Sequence, residues 1–258
     1  MKSKTLIVAM AGSMLTGMPL TADADEIVLT GVVRDFLVSH PDMQNPDKDF
    51  GVKKGLVEDD LGSDGKPVLV ADHDGERGMI SSASSFDQWF RDTPGVNISI
   101  PYAITLDNGQ EEAGGLYSFA VEKPNYFFPI DGLGWGDTAV DRNGHSRNFY
   151  FTYEIATEFT YIPKDERDYD MVFSFTGDDD VWVYINGKLA VDLGGVHGQA
   201  HASVNLDDAA EELGLEEGEN YTLDFFFAER HTTESNFRIE TTLTLVEVPP
   251  TSVSPLYD

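Results

Sequence analysis

Cysteine is absent from the 258-residue sequence. Without thiols the chain forms no disulfide, offers no cysteine nucleophile and builds no thiolate zinc site. The folded state must therefore depend on core packing, with or without a bound metal ion. The sequence has the large side chains that such a core requires, because it contains 16 Phe, 10 Tyr and 3 Trp.

Positive charge is scarce, with 17 Lys and Arg against 46 Asp and Glu and a net charge of −29. Such a chain is repelled by nucleic-acid backbones and by anionic membranes, so we expect neither as a partner. The charge suits cations, neutral polar ligands such as glycans, or solubility alone.

Long apolar runs are missing except near the start of the chain. Lys2 and Lys4 precede the run Thr5–Leu20, which is followed by Ala22-Asp23-Ala24. A positive start, an apolar centre and an A-x-A site predict a secretory signal peptide over residues 1–24. We therefore expect a secreted or cell-surface protein without membrane insertion, and the periplasm stays open as an alternative location.

Familiar catalytic motifs are also missing. The sequence contains no G-x-S-x-G, no H-E-x-x-H and no P-loop. We therefore expect a protein that is not an enzyme. A pair of Asp or Glu side chains could still support glycoside hydrolysis, because that chemistry depends on their separation in space.

The sequence does contain strong β-strand patterns. Apolar residues alternate with polar or smaller ones from Asn148 onward, and Asn186-Gly187 is typical of a two-residue hairpin turn. Helical patterns are short: a segment in which Ser85 is the expected cap, and Leu206–Gly214. We predict an all-β, antiparallel, lectin-like β-sandwich with long loops and one or two short helices. We expect it to form a single domain over residues 25–248, followed by a flexible tail at 249–258.

Three consecutive aspartates, Asp178, Asp179 and Asp180, lie between two predicted strands in the loop Thr176–Asp180. Adjacent like charges destabilise one another, and a hard cation removes that repulsion. Calcium takes six to eight oxygen ligands, and a short loop rich in aspartate supplies several of them. The cluster therefore predicts a calcium site, although a solvated acidic turn is the simpler alternative.

Two later segments add candidate residues. His197 and His201, with His231 further on, could form a transition-metal site or make ordinary hydrogen bonds. Glu229 and Arg230 follow an apolar strand and could form an internal ion pair. Alternatively, they could bind sugar hydroxyls beside a stacking aromatic ring such as Trp182 or Tyr184.

Three stretches resemble the fibro-slime domain of secreted and cell-surface proteins: "VVRDFLVSHPDMQ", "FSFTGDDDVWVYINGKLAVDLGGVHG" and "LDFFFAERHTTESNFRIETTL". The segment "DDDVWVYINGKLAVD" is also similar to protective-antigen-type β-sandwich lectins. That likeness implies a cis peptide between Asp178 and Asp179, calcium shared with sugar hydroxyls, and an Asn from a later loop at Asn236. Asp180 stands where these lectins often have a small residue.

The function that we expect is a calcium-dependent carbohydrate- or matrix-binding module of adhesion type. Its partner would be a glycan or a cell-surface or matrix polysaccharide. The alternatives are a self-associating structural matrix protein without a small ligand, and a glycoside hydrolase with an Asp/Glu pair. The candidate ligand-binding residues are Asp178, Asp179, Trp182, His197, Glu229, Arg230, His231 and Asn236. The candidate metal ligands are Asp178, Asp179, Asp180 and Asn236.

Overall fold

The computed structural model describes residues 26–71, 77–109 and 115–248. The predicted signal peptide and the predicted tail lie outside these ranges. The strands are β1 (Glu26–Phe36), β2 (Asn97–Asp107), β3 (Tyr117–Val121), β4 (Ala139–Val140), β5 (Ser146–Arg147), β6 (Phe151–Thr160), β7 (Val172–Gly177), β8 (Asp180–Ile185), β9 (Lys188–Leu193), β10 (Ala200–Asn205), β11 (Asn220–Glu229), β12 (Phe237–Thr241) and β13 (Val246–Glu247). The α-helices are α1 (Ala83–Phe86) and α2 (Leu206–Leu213), and short 3₁₀ turns cover Arg77–Met79 and Lys164–Glu166.

One antiparallel sheet contains most of these strands, in the order β10-β7-β12-β3-β2-β1-β6-β11-β8-β9, with β13 paired to β6. The two ends of this order, β9 and β10, lie beside each other, so the sheet curls until it is nearly closed. The strands β4 and β5 form a separate hairpin. The all-β, antiparallel prediction is confirmed, with one curled sheet enclosing the core.

The main core lies inside the curl. Alternate residues of the strands point inward and pack there, as Val181 and Val183 of β8 and Phe225 and Phe227 of β11 do. Burial of such side chains stabilises the fold by about 1.5–3 kcal/mol for each residue relative to exposure. The enclosed core therefore supplies the stability that a chain without disulfides needs.

A second core covers the outer face of β8 and β11. There Trp182, Tyr184 and Phe226 pack against residues from the segment between β1 and β2, among them Phe86 and Trp89. Both faces of β8 are consequently buried along its whole length. The aromatic residues at the outward positions of this strand are thus core residues.

Local turn and cap chemistry explains several element boundaries. Asn186 and Gly187 have φ of 53° and 73°, which two-residue hairpin turns of this kind require. Helix α2 begins after Asn205, whose side chain accepts from the N–H of Asp207, and ends at Gly214 with φ 67°. No helix in the described ranges has the length and apolar character needed to span a membrane.

The structure differs from the sequence-based expectations at three places. Ser82 caps α1, with Ser85 as the reciprocal partner of its capping box. The acidic loop is shorter than expected, since β7 extends to Gly177 and β8 begins at Asp180. The Gly-rich segment expected to be a loop includes strand β10.

Candidate functional site

Three loops meet at one end of the sheet. They connect β7 to β8 (residues 178–179), β9 to β10 (residues 194–199) and β11 to β12 (residues 230–236). Gly177 is opposite both Ala200 and Phe237 in the strand pairing, and Asp180 is opposite Ala228. This register brings the predicted Asp, His and Glu-Arg segments together, although they are far apart in sequence.

Asp178 is the first of the acidic residues at this end of the sheet. A Cβ at the preceding Gly177 would lie 2.2 Å from the carbonyl oxygen of Asn236, so only glycine allows this approach of two backbones. The Asp178 carboxylate accepts from the backbone N–H of Asn236 at 2.5 Å and from its side-chain Nδ2 at 2.8 Å. Burial raises the pKa of Asp178 despite these hydrogen bonds. The Asp178–Asp179 peptide bond is cis, where the lectin resemblance places it.

Asp179 is held by backbone donors from both neighbouring loops. Its Oδ1 accepts from His197 N at 3.1 Å, and its Oδ2 accepts from Arg230 N at 3.3 Å and His231 N at 3.1 Å. Burial raises its pKa well above the usual range, and the carboxylates of Asp180 and Asp178 add to this effect, while Arg230 opposes it. The side chain is therefore fixed in place, and no cationic side chain in the described part of the chain is bonded to it.

Asp180 is fully buried and, unlike Asp179, is bonded to a cationic side chain. Its Oδ2 accepts from Arg230 Nε at 2.7 Å, and its Oδ1 accepts from Gly195 N at 2.5 Å. Arg230 is itself fully buried and donates to the carbonyl oxygens of Gly78 and Met79. The expected pairing of Arg230 is therefore internal, but its partner is Asp180 and not Glu229.

Glu229 is 1 % exposed, and neither of its carboxylate oxygens has a hydrogen-bond partner within the described residues. Two nearby donors are engaged elsewhere: the Ser235 hydroxyl donates to Phe127 O at 2.7 Å, and His231 N donates to Asp179. Burial raises the pKa of Glu229 well above its usual range, and the charges of Asp179 and Asp178 raise it further. This end of the sheet thus contains a buried carboxyl group whose lost hydration is not replaced by a hydrogen bond from the described residues.

An open cleft of about 470 Å³ lies over Asp178 and Asp179. Both aspartates are 4 % exposed, so they form its floor. Among the predicted site residues, His197 and His231 also line it, whereas Asp180, Trp182, Glu229, Arg230 and Asn236 do not. The other lining residues are Phe50, Gly51, Arg142, Val196, Gly198, Thr232, Thr233 and Glu234.

The histidines do not turn a free nitrogen toward the cleft. The Gln44 amide nitrogen lies 3.1 Å from His231 Nε2, and Thr232 O lies 3.1 Å from Nδ1, which assigns the lone pair to Nε2 and the proton to Nδ1. Both ring nitrogens of His197 face carbonyl oxygens, and His201 Nδ1 lies 2.8 Å from Thr176 Oγ1. Each of these histidines therefore has a ring nitrogen within hydrogen-bond distance of another protein group, which supports the alternative of ordinary hydrogen bonds.

The prediction that Trp182 binds a ligand is wrong. It is fully buried in the second core and donates to Asp192 at 3.1 Å, so it has no ring face for a ligand. Tyr184 is fully buried in the same core. The aromatic ring at the cleft is Phe50, which is 53 % exposed and packs edge-on against His231. Sequence reasoning missed Phe50 because it lies in a segment without periodicity.

Asp180 and Asn236, both predicted metal ligands, are also placed differently. Asp180 is bonded to Arg230 behind the cleft. The side-chain oxygen of Asn236 accepts from Lys123 N at 3.1 Å while its nitrogen holds Asp178. Over the ranges that the structure describes, no group of three or more His, Cys, Asp or Glu side chains is arranged to hold a metal ion. Any cation would have to take most of its ligands from elsewhere.

The described chain is thus an all-β domain with an acidic cleft at one end of its sheet. The family model of the PA14 domain matches residues 162–255, which include all three loops of the cleft. Protein psiQ of Dictyostelium discoideum is 45 % identical over 203 residues, which are 76 % of this chain and 19 % of psiQ. Protein psiR of the same organism is 41 % identical over 226 residues, 83 % of this chain and 21 % of psiR. The chain therefore spans about a fifth of the length of these two relatives.

A solved structure described as the PA14 sugar-binding domain from an RTX adhesin is 7 % identical. The match covers 84 % of this chain and 95 % of that domain, with a TM-score of 0.28. At this TM-score the likeness bears on neither fold nor function.

Proposed function

We propose that the chain is a carbohydrate-binding module of adhesion type, in which a calcium ion on Asp178 and Asp179 holds the sugar. The observation that carries the proposal is the pair of carboxylates on the floor of an open cleft. N–H groups fix them, and among the described residues no cationic side chain is bonded to either. Calcium would supply the missing positive charge and would accept sugar hydroxyls as further ligands.

The donor chemistry of the site fits calcium better than a transition metal. Oxygen ligands suit hard cations, and the floor offers two carboxylates, each with lone pairs beyond those that the N–H groups occupy. The buried and unpaired carboxyl of Glu229 adds negative charge behind the floor. Within the described residues, the ring nitrogens of the two histidines at the cleft, His197 and His231, already face other protein groups, which does not favour a nitrogen site for zinc or copper here.

The walls of the cleft fit a sugar. Phe50 offers an exposed ring on which the apolar face of a pyranose can stack. Thr232 and Thr233 also line the cleft, and their hydroxyl oxygens, which contact Gln44 and Arg142, keep lone pairs that can accept from sugar hydroxyls. The family model of the PA14 domain also covers the three loops that build this site. These features support a glycan as the partner.

The proposal also covers where the protein is located and what surrounds it. The apolar start of the sequence supports export, either to the cell surface or to the periplasm. The likeness to fibro-slime domains supports a role in contact with an extracellular matrix. Since the chain spans only part of psiQ and psiR, we propose the module's activity and not that of the longer proteins.

A glycan array tests the proposal when it is probed in calcium and again in chelator. We expect binding in calcium that chelator abolishes and that Asp179→Asn removes. Asp165→Asn is the matched control, because it removes the same charge from an exposed position in the turn Lys164–Glu166.

Each other outcome has a clear meaning. Glycan binding that persists in chelator contradicts the role of calcium. A blank array together with assembly that increases with protein concentration supports the self-associating matrix protein instead. Release of reducing sugar from bound polysaccharide would support the hydrolase alternative.

A further inference from the structure

Arg142 is the only arginine or lysine among the described residues that line the cleft. It lies in the turn between β4 and β5, far from Asp178 in sequence. Its side chain is 62 % exposed, in a chain that has few basic residues. An exposed guanidinium that lines the same cleft as two buried carboxylates therefore requires an explanation.

The turn that carries Arg142 is firmly built. Asp141 accepts from the backbone N–H groups of Asn143 and His145 at 2.8 and 2.9 Å and from Arg147 Nε at 3.0 Å. Asn143 also donates to Pro124 O at 3.0 Å. A turn fixed in this way presents its next residue in one position, which lowers the ordering cost of binding.

Only one nitrogen of the Arg142 side chain is engaged. Nε donates to Thr233 Oγ1 at 2.9 Å and lies 3.1 Å from Glu234 Oε1. Within the part of the chain that the structure describes, the two terminal nitrogens have no hydrogen-bond partner. A guanidinium held at Nε keeps its outer edge free, and that edge matches the two oxygens of a carboxylate.

We propose that the cleft selects sugars that carry a carboxylate, such as uronic acids, and that Arg142 recognises the carboxylate. This inference rests on the proposed function, in which calcium on Asp178 and Asp179 holds the sugar hydroxyls. The cation and the free outer edge of Arg142, whose Nε is paired with Glu234, then offer two points of attachment on a negatively charged domain. A neutral sugar engages the first point and leaves the second in water.

Calorimetry with paired sugars tests the inference. The pairs are galactose and galacturonic acid, glucose and glucuronic acid, and mannose and mannuronic acid, which differ only at C6. Free calcium is matched in cell and syringe, because uronates bind calcium weakly. In at least one pair we expect the uronate to bind about tenfold more tightly, which corresponds to about 1.4 kcal/mol.

Variants assign the preference to Arg142. Arg142→Gln should bring the ratio of the two affinities close to one, and Arg142→Lys should restore little of it, because lysine lacks the planar fork. The matched control is Arg91→Gln, a partly exposed arginine paired with Asp64 that does not line the cleft. It should keep the ratio of the parent protein. Unchanged melting temperatures would show that each variant is folded.

The contradicting results separate this inference from the proposed function. Equal binding of neutral sugar and uronate in every pair overturns the inference and leaves calcium-dependent sugar binding standing. A uronate preference that survives Arg142→Gln overturns the assignment to Arg142. Binding of neither sugar in any pair overturns the inference, and a blank glycan array in calcium would then overturn the proposed function as well.

Discussion

The two ends of the sheet treat acidic groups that are wholly or partly buried in opposite ways. At the start of α2, Asp207 accepts from Arg167, from Lys164 Nζ at 2.7 Å and from Tyr161 OH at 3.0 Å. Burial alone would raise its pKa, but the Arg167 and Lys164 donors lower it to about 2. At the cleft, burial raises the pKa of Asp178, Asp179 and Glu229.

The difference shows where the chain uses its few basic residues. It places two of them on the single carboxylate of Asp207. At the cleft the side chain of Arg230 pairs with Asp180 and Arg142 pairs with Glu234, and no cationic side chain among the described residues is bonded to Asp178, Asp179 or Glu229. An acidic group that serves stability is neutralised within the chain, as Asp207 is. The carboxylates under the cleft lack this neutralisation, which is the arrangement expected of a site completed by a cation from solution.

The largest effect should come from Arg230→Gln. The substitution leaves Asp180 buried and unpaired, so we expect a loss of about 3–5 kcal/mol in the free energy of unfolding. Chemical denaturation measures the loss. Adding Asp180→Asn should recover part of it, because the unpaired charge is then removed.

The other end of the sheet supplies the control for Arg230→Gln. Arg167→Gln should cost less, about 1–3 kcal/mol, since Lys164 and Tyr161 still hold Asp207. Arg91→Gln, at an exposed ion pair, should stay within about 0.5 kcal/mol of the parent protein. An Arg230→Gln protein as stable as the Arg91→Gln protein would contradict our account of the buried pair.

The next largest effect is expected at Glu229, where a substitution should raise the free energy of unfolding instead of lowering it. A carboxyl whose pKa is raised in the folded state binds more protons folded than unfolded, so stability falls as pH rises above the usual glutamate range. In chelator at pH about 8, Glu229→Gln should therefore raise the free energy of unfolding by at least about 1 kcal/mol. Near pH about 5 the two proteins should converge. A variant that is less stable than its parent by the same amount at both pH values would show that Glu229 makes contacts that its charge does not explain.

Asp207 should show the reverse pH dependence. Its folded-state pKa of about 2 lies below the unfolded value, so its contribution is complete above pH about 4 and is lost as pH falls toward 2. Asp207→Asn should cost about 1–2 kcal/mol at pH 7, a range that allows for the partial exposure of the ion pairs. The difference from the parent should vanish near pH about 2. Thermal melts across this range measure it, and a cost that persists at the acid end would contradict the ionic origin.

The smallest expected effect on stability is that of Phe50→Ala. Because the ring is half exposed, the free energy of unfolding should change by less than about 0.5 kcal/mol. Affinity for a bound glycan should fall about three- to tenfold, because the stacking surface is lost. Leu133→Ala, at another exposed apolar position, is the control and should leave glycan binding unchanged. Equal loss in both variants would remove Phe50 from the site.

Much of the fold could be predicted because its signals are local. The Asn186-Gly187 turn requires positive φ at both positions, and this chemistry can be read from two adjacent residues. The return strand Lys188–Leu193 follows directly from that turn. Strand β10 could not be found in this way, since its small residues Ala200 and Ala202 follow glycines and only pairing with β7 gives them an extended form.

The candidate site was predictable only in part. The three aspartates mark the right end of the sheet, but their sequence does not show which side chains face the cleft and which one Arg230 binds. The prediction for Trp182 was wrong because the second core buries the outward positions of its strand. Phe50 and Arg142 come from distant segments that only the tertiary fold brings to the cleft, so no local pattern identifies them.

A calorimetric calcium titration of the protein tests the central claim most directly. Our account predicts one calcium ion per chain, with a dissociation constant in the range of about 10⁻⁴–10⁻³ M that is common for extracellular modules. Asp179→Asn should weaken binding by more than about tenfold, while Asp165→Asn should match the parent protein. No heat of binding and no change in melting temperature at millimolar calcium would contradict the claim that the acidic cleft is completed by a cation.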